Sequence, residues 1–262
     1  MSDLTTRKPD IADGVRDDPW ERLKQYTDAR IAIGRSGASL PTREVLNFAL
    51  SHARARDAVH TPLDAEMLEA GVAERGLQTI RVQSRVADRT EYLTRPDFGR
   101  RLLHADAERI AGLANEVCDI AVVIADGLSS TAVAENAIPF LSSLTDELRK
   151  SGFSIRPVTI VSNGRVAIGD EIGALLKARL VVVMIGERPG LSATDSLGAY
   201  LTFGPKIGRS DAERNCISNI RKAGLKPPVA AEKAAWLIRE ALRRGLTGVN
   251  LKEEQQTFLD DD

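Results

Sequence analysis

The sequence predicts an α/β protein in which a helical N-terminal region is followed by a doubly wound, mainly parallel sheet domain. Three observations carry this. Cys118–Ala125, Phe153–Val161 and Leu180–Gly186 are apolar runs with the length and composition of buried strands. Amphipathic stretches near 130 to 150 and 168 to 177 separate them, and strands alternating with helices imply parallel pairing. Before residue 116 the texture is a series of shorter helical patterns. The reading is therefore a flexible tail over 1–29, a helical region over 30–115, and a Rossmann-like α/β domain over 116–262.

The tail is rich in Asp, Arg, Thr and Pro and has little apolar content, so no element is assigned there. From Ser39, a cap at Ser39 or Thr42, Pro41 near the first turn, and Val45, Phe48, Ala49 and His52 on one face predict an amphipathic helix ending near His60. Thr61-Pro62-Leu63-Asp64 repeats the start signal, with Thr61 as N-cap and Pro62 at the first helical position. That second helix runs to about Arg75 and stops at Gly76, and Leu77–Ser84 follows as a strand.

A fourth sheet-domain strand, weaker than the three apolar runs, is expected around Ala199–Phe203. Ser210-Asp-Ala-Glu213 has the form of a capping box and predicts a helix through Cys216 and Ile220. Pro228 opens a last helix, with Leu237, Ile238, Ala241 and Leu242 as its apolar stripe and Gly245 as its stop.

Composition excludes several classes of function. With 36 basic and 37 acidic residues the net charge is -1, which recruits neither nucleic acid nor an acidic membrane surface. Aromatic residues are 4% of the chain, too sparse for base-stacking platforms. No run reaches membrane-spanning length, the N-terminus lacks the apolar core of a signal peptide, and Cys118 and Cys216 form no metal-binding or disulfide pattern. The expectation is a cytoplasmic chain without a metal site of its own.

In a parallel sheet the loops Asp126–Ser130, Ser162–Val166 and Glu187–Gly190 gather at the carboxyl ends of the strands, the usual binding crevice. No G-x-G-x-x-G follows a strand, and Gly164–Gly169 is followed by Asp170 where a phosphate-binding loop needs lysine. No G-x-S-x-G is present, and His52, His60 and His104 all precede the sheet domain, so no self-contained catalytic set is assigned. Taken alone, Glu187 reads equally as a partner of Arg188, Cys216 as a buried helix-face thiol, and Val166 as a loop residue.

Gly34-Arg-Ser-Gly-Ala-Ser-Leu-Pro-Thr42, the string ending Ala55-Arg-Asp-Ala-Val-His60, Ile185-Gly-Glu-Arg-Pro-Gly-Leu191, and Asp211 through Ile220 stand in an order and separation that resemble the ethanolamine ammonia-lyase light subunit family. The resemblance extends from about Arg30 to Asn250. It implies one chain of an adenosylcobalamin-dependent ammonia-lyase that converts ethanolamine to acetaldehyde and ammonia through a radical. It also implies that a heavy chain binds ethanolamine, that heavy and light chains form a hetero-oligomer, and that the light chain has no activity alone.

Carried over by the resemblance, the cobalamin contacts fall on Val166, Glu187 and Cys216. The Asp-x-His-x-x-Gly motif that replaces the cofactor's own lower base is absent, since Asp57-Ala-Val-His60 has the wrong spacing. Base-on cobalamin is therefore expected. The alternatives are a non-catalytic ligand-binding interaction module, or a light subunit serving another amino alcohol. A bacterial microcompartment is the alternative location.

Overall fold

The computed structural model describes residues 18–114 and 116–252. Two compact units divide the chain, Met1–Asp57 with Gly190–Ala193, and Ala58–Pro189 with Thr194–Asp262. In the first, a short 3-10 helix, Glu21–Tyr26, lies within the stretch read as tail, most of which falls outside the described residues. Helix α1, Thr42–His60, begins where Pro41 ends the extended chain and ends at the expected residue. The Pro41 carbonyl accepts from Glu44 and Val45 N–H. Val45, Leu46, Phe48 and Leu50 of α1 are all about half exposed or more.

The second unit is built on six strands: β1 Thr79–Gln83, β2 Cys118–Ala125, β3 Val158–Ser162, β4 Ala178–Gly186, β5 Leu197–Phe203 and β6 Asn215–Ile220. Their order across the sheet is β1-β3-β2-β4-β5-β6. The first four are parallel, β5 is antiparallel to β4, and β6 is antiparallel to β5. The sheet is therefore mainly parallel, with one reversed strand.

Alternation along the central strands produces two cores. Ile120, Val122 and Ile124 of β2 and Leu180, Val182 and Met184 of β4 face one side, packed against helices α2 (Ala65–Ala73), α5 (Ser130–Arg149) and α7 (Pro227–Arg244). Ala121, Val123 and Ala125 of β2 and Val181, Val183 and Ile185 of β4 face the other side, covered by α4 (His104–Gly112) and α6 (Ile168–Leu175). Both faces being covered explains why these strands read as continuous apolar runs.

Two expected elements change character. Asp64, not Thr61, caps α2, its carboxylate accepting from Met67 N–H at 2.9 Å. A short acidic side chain reaches that free amide directly, and the helix starts three residues after Pro62. The Ser210 capping box is present, but it opens only the 3-10 turn Asp211–Glu213, and the chain from Asn215 to Ile220 is strand β6.

The capping box alone predicts a helix there; beyond it, Ile217 and Ile220 are three residues apart and both buried. A regular strand would turn them to opposite faces. The ladder instead shifts register between Leu197 and Ala199, and Asn219 takes a φ of 59°. That irregularity returns Ile220 to the core side. Cys216 therefore lies on a strand and shares no helix face with Asn219 and Ile220.

Strand β3 is Val158–Ser162, shorter than the run expected over Phe153–Val161, whereas the last helix matches its expectation. Helix α7 opens with proline at its first positions, buries Leu237, Ile238, Ala241 and Leu242, and ends at Gly245 with φ 71°.

Candidate functional site

The connections leaving β2 and β4 run to opposite sides, because β2 leads through α5 to β3 while β4 turns back into β5. Such divergence between neighbouring strands opens a crevice at their carboxyl ends. A cavity of about 420 Å³ lies there. Gly127 and Leu128 after β2, Arg165 and Val166 after β3, and Glu187 and Arg188 after β4 wall it from the loops. Tyr92, Tyr200 and Ser218 complete it.

Each loop is fastened to another. Asp126 is buried, and its carboxylate accepts from Asn163 N at 2.9 Å, Gly164 N at 3.0 Å and Gly127 N at 2.9 Å, with Arg89 Nη1 at 3.3 Å. One acid thus joins the β2 loop to the β3 loop. Leu128 N donates to Gly186 O at 2.9 Å, and the β2 loop packs so closely on the end of β4 that a Cβ on Gly127 would collide with the Gly186 carbonyl. The φ of 58° at Gly127 adds a second reason for glycine.

Tyr92, on helix α3 (Arg89–Thr94), is fully buried beneath the β3 loop. Its hydroxyl donates to Gly164 O at 3.0 Å, and its ring lies 4.5 Å from the Arg89 guanidinium and 4.1 Å from that of Arg165. Burial pushes its pKa well up, with Asp126 adding to the rise, so the phenol remains a donor. Arg165 Nη2 donates to Tyr92 O at 3.1 Å, while its Nε is buried without a partner among the described residues.

Glu187 does not pair with Arg188. Its Oε2 accepts from Ser196 Oγ at 2.5 Å and from Asn219 N at 3.3 Å, and its Oε1 accepts from Ser218 Oγ at 2.6 Å. Val166 sits in the turn before α6 and packs partly against the second core. Cys216 is exposed, faces Tyr200 across the β5–β6 ladder, and is not itself a wall of the cavity. Burial raises the Tyr200 pKa, and the adjacent Cys216 raises it further.

The structure thus brings Val166 and Glu187 to one cleft and leaves Cys216 one side chain behind it. Tyr92, Tyr200 and Ser218 escaped sequence reasoning, whereas Arg165 lies in the Ser162–Val166 loop expected at the crevice. Two of the chain's three tyrosines meet at this cleft, which is the clearest signal the sequence held for them. The arrangement presents an apolar wall of Leu128, Val166 and Ile185 beside the fixed polar groups of Glu187 and Ser218. It suits binding of a large ligand with a polar rim.

Comparison with known proteins gives a consistent family. The family model described as ethanolamine ammonia-lyase light chain (EutC) matches residues 17–252. The ethanolamine ammonia-lyase small subunit of Pseudomonas fluorescens (strain SBW25) is 49% identical over 253 residues, covering 95% of this chain and 91% of that one. The small subunit of Azotobacter vinelandii (strain DJ / ATCC BAA-1303) is 50% identical over 243 residues, covering 92% and 90%. With matches across nearly its whole length, the chain belongs to the ethanolamine ammonia-lyase light chain family.

Proposed function

We propose that this chain binds part of adenosylcobalamin in the cleft at the carboxyl ends of β2, β3 and β4, as the light subunit of an enzyme that converts ethanolamine to acetaldehyde and ammonia. The observation that carries this is the meeting of Val166 and Glu187 at one crevice, on loops fastened to one another by Asp126, Gly127 and Tyr92.

The cleft's chemistry fits the cofactor. A corrin is an apolar macrocycle rimmed by amides, and needs a flat apolar support with acceptors and donors at its perimeter. Leu128, Val166 and Ile185 would support the ring, and Glu187 would accept from an amide N–H with the lone-pair capacity left by Ser196, Ser218 and Asn219. Cys216 would touch the rim beside Tyr200. When bound, the cofactor supplies the radical that starts the reaction. This chain's residues hold the ligand, fix its orientation and keep water from one side.

A cavity of about 420 Å³ covers only part of so large a ligand, so the opposite wall and the ethanolamine site are assigned to the heavy chain. The exposed apolar side chains Val45, Leu46, Phe48 and Leu50 of α1, and Trp20 and Tyr26, are assigned to contact with the same partner. No helix among the described residues is long and apolar enough to cross a membrane. The cytoplasm is the proposed location, with a bacterial microcompartment as the alternative that fractionation separates.

The test is co-expression with the heavy chain and assay of adenosylcobalamin-dependent acetaldehyde release, each chain alone serving as control. Activity in the complex only is the expected result. A complex that binds cobalamin and prefers 2-aminopropanol would reassign the substrate, and a chain that neither forms a complex nor binds cobalamin would be an interaction module instead.

A further inference from the structure

Asn163 and Gly164, in the loop after β3, form the one asparagine–glycine pair of the chain. Local structure asks for these two residue types. Asn163 has a φ of 56°, in the left-handed region that glycine and asparagine enter most readily. At Gly164 a Cβ would lie 3.0 Å from both Ala125 Cβ and Val161 Cγ1, so the turn leaves room for glycine only. Asparagine at 163 adds an acceptor, its Oδ1 facing Arg89 Nη1 at 3.5 Å.

That pair carries a chemical liability. After losing its proton, Gly164 N can attack Asn163 Cγ, and no side chain on the glycine hinders the approach. Ammonia leaves and a five-membered succinimide closes. Water then opens the ring at either carbonyl, giving an aspartate or an isoaspartyl link in which the main chain runs through Cβ. Nothing but water is consumed.

The fold holds the attacking group still. Gly164 is buried, and its N–H donates to Asp126 Oδ1 at 3.0 Å, while Asn163 N–H donates to Oδ2 of the same buried carboxylate at 2.9 Å. Beyond the Gly164 Cα, its carbonyl accepts from Tyr92 Oη at 3.0 Å, and Arg165 N donates to Gly99 O at 2.7 Å. Both peptide planes that flank the glycine are therefore fixed. Losing the Gly164 proton would forfeit a charge-assisted hydrogen bond and set a second negative charge against Asp126.

We propose that Asn163 is a latent deamidation site, kept silent by the hold of Asp126 and Tyr92 on Gly164 and exposed to conversion whenever the β3 loop opens. Conversion would be irreversible and would prevent the loop from closing again. Either product brings a carboxylate up to Arg89, which already faces Asp126 at 3.3 Å, and like charges there repel. The isoaspartyl product also adds one carbon to the main chain between the two N–H groups that share Asp126. The inference stands whichever ligand the cleft takes.

The experiment ages the heavy–light complex in mildly alkaline buffer and maps the Asn163 peptide by mass, with isoaspartate read by enzymatic methylation. The same chain unfolded in urea is the reference. Conversion in the folded wild type is expected to be slower than in the unfolded chain by about a hundredfold, because it proceeds only from the open loop. Tyr92→Phe keeps the ring between Arg89 and Arg165 and loses only the hydroxyl, so it folds as the wild type does. Removing that one hydrogen bond is expected to speed conversion about fivefold. Asp126→Ala is expected to speed it further. Hydrogen exchange of the β2 amides, followed in parallel, is expected to stay slow, which places the opening in the loop.

Equal rates in the folded and unfolded wild type would overturn the hold, and an unfolded chain that leaves Asn163 intact would overturn the site. Faster exchange of the Gly164 amide in Tyr92→Phe without faster conversion would show that this amide is not the gate. Conversion that rises only together with exchange of the β2 amides would assign it to global unfolding and overturn the local lock.

Discussion

Ser218 Oγ donates to Glu187 Oε1 at 2.6 Å, so a carboxylate at the end of β4 is held by a residue of β6, across the intervening β5. The same carboxylate accepts from Ser196, which is buried. Glu187 is thus both a wall of the cleft and the brace that fixes the β4 loop against the antiparallel edge of the sheet.

Replacing Glu187 tests both roles. Glu187→Ala leaves the Ser196 hydroxyl without its acceptor, which costs about 1–3 kcal/mol for a buried group. Loss of a charged acceptor for a ligand amide weakens cofactor binding roughly 10- to 100-fold. The KM for ethanolamine should barely move, because the substrate site is assigned to the heavy chain. Glu187→Gln, which keeps one acceptor oxygen, should fall between. Denaturant unfolding and cofactor titration separate the outcomes: lost stability with unchanged cofactor affinity would leave Glu187 a brace only.

Asp126 is the corresponding tie between the β2 and β3 loops. An asparagine there keeps one acceptor and places an amide where carboxylate oxygen accepted backbone N–H groups. Each buried donor so stranded costs about 1–3 kcal/mol. Asp126→Asn should lower stability on that scale and weaken cofactor binding by loosening the loop that carries Val166. Hydrogen exchange of the Asn163 and Gly164 amides reads the cause directly. Unchanged protection of those amides would show that the loops do not depend on Asp126.

Much of this was legible in the sequence, for identifiable reasons. Strand β2 matched its apolar run because both faces of the sheet are covered, and α7 matched because proline and glycine bracket it. The crevice followed from parallel topology alone. Strand β6 was missed because the Ser210 capping box, a helix-start signal, opens only the short turn Asp211–Glu213, and the register shift and positive φ of Asn219 hide the strand's alternation. Tyr92 was missed because its place depends on packing between a short helix and a loop more than 70 residues later. Arg89 stacks on Tyr92 from one turn back on the same helix, but the stacking of Arg165 leaves no local pattern in the chain.

Asp119 offers a pH test remote from the cleft, at the opposite ends of the strands. Burial tends to raise its carboxyl, but hydrogen bonds from Ser154 N at 3.0 Å and Ser154 Oγ at 2.9 Å, with Arg179 at 2.9 Å, outweigh that and lower it overall. An acid lowered in the folded state stabilises it above the ordinary carboxylate value, near about 4, and loses that effect as pH falls through the lowered value. Asp119→Asn should therefore be less stable than the wild type at pH 7, with the gap closing in acid. Cofactor affinity should not change. A stability gap independent of pH would mean that the charge of Asp119 contributes nothing.

Cys216 is the residue whose placement the structure changed most, and alkylation reads its environment. It is exposed on β6, whereas Cys118 is buried in the second core. In the isolated chain iodoacetamide should therefore modify Cys216 and spare Cys118. The reaction should speed up as pH rises because the thiolate is the nucleophile, and only at higher pH than for a free cysteine, since desolvation of the sulfur raises the thiol against a hydrogen bond with Tyr200 that lowers it. In the heavy–light complex, added adenosylcobalamin should slow modification of Cys216 several-fold if the corrin rim rests on Tyr200 and its neighbour. Peptide mass mapping measures both cysteines at once. Equal rates with and without cofactor would remove Cys216 from the ligand's edge, leaving Val166 and Glu187 as this chain's contacts.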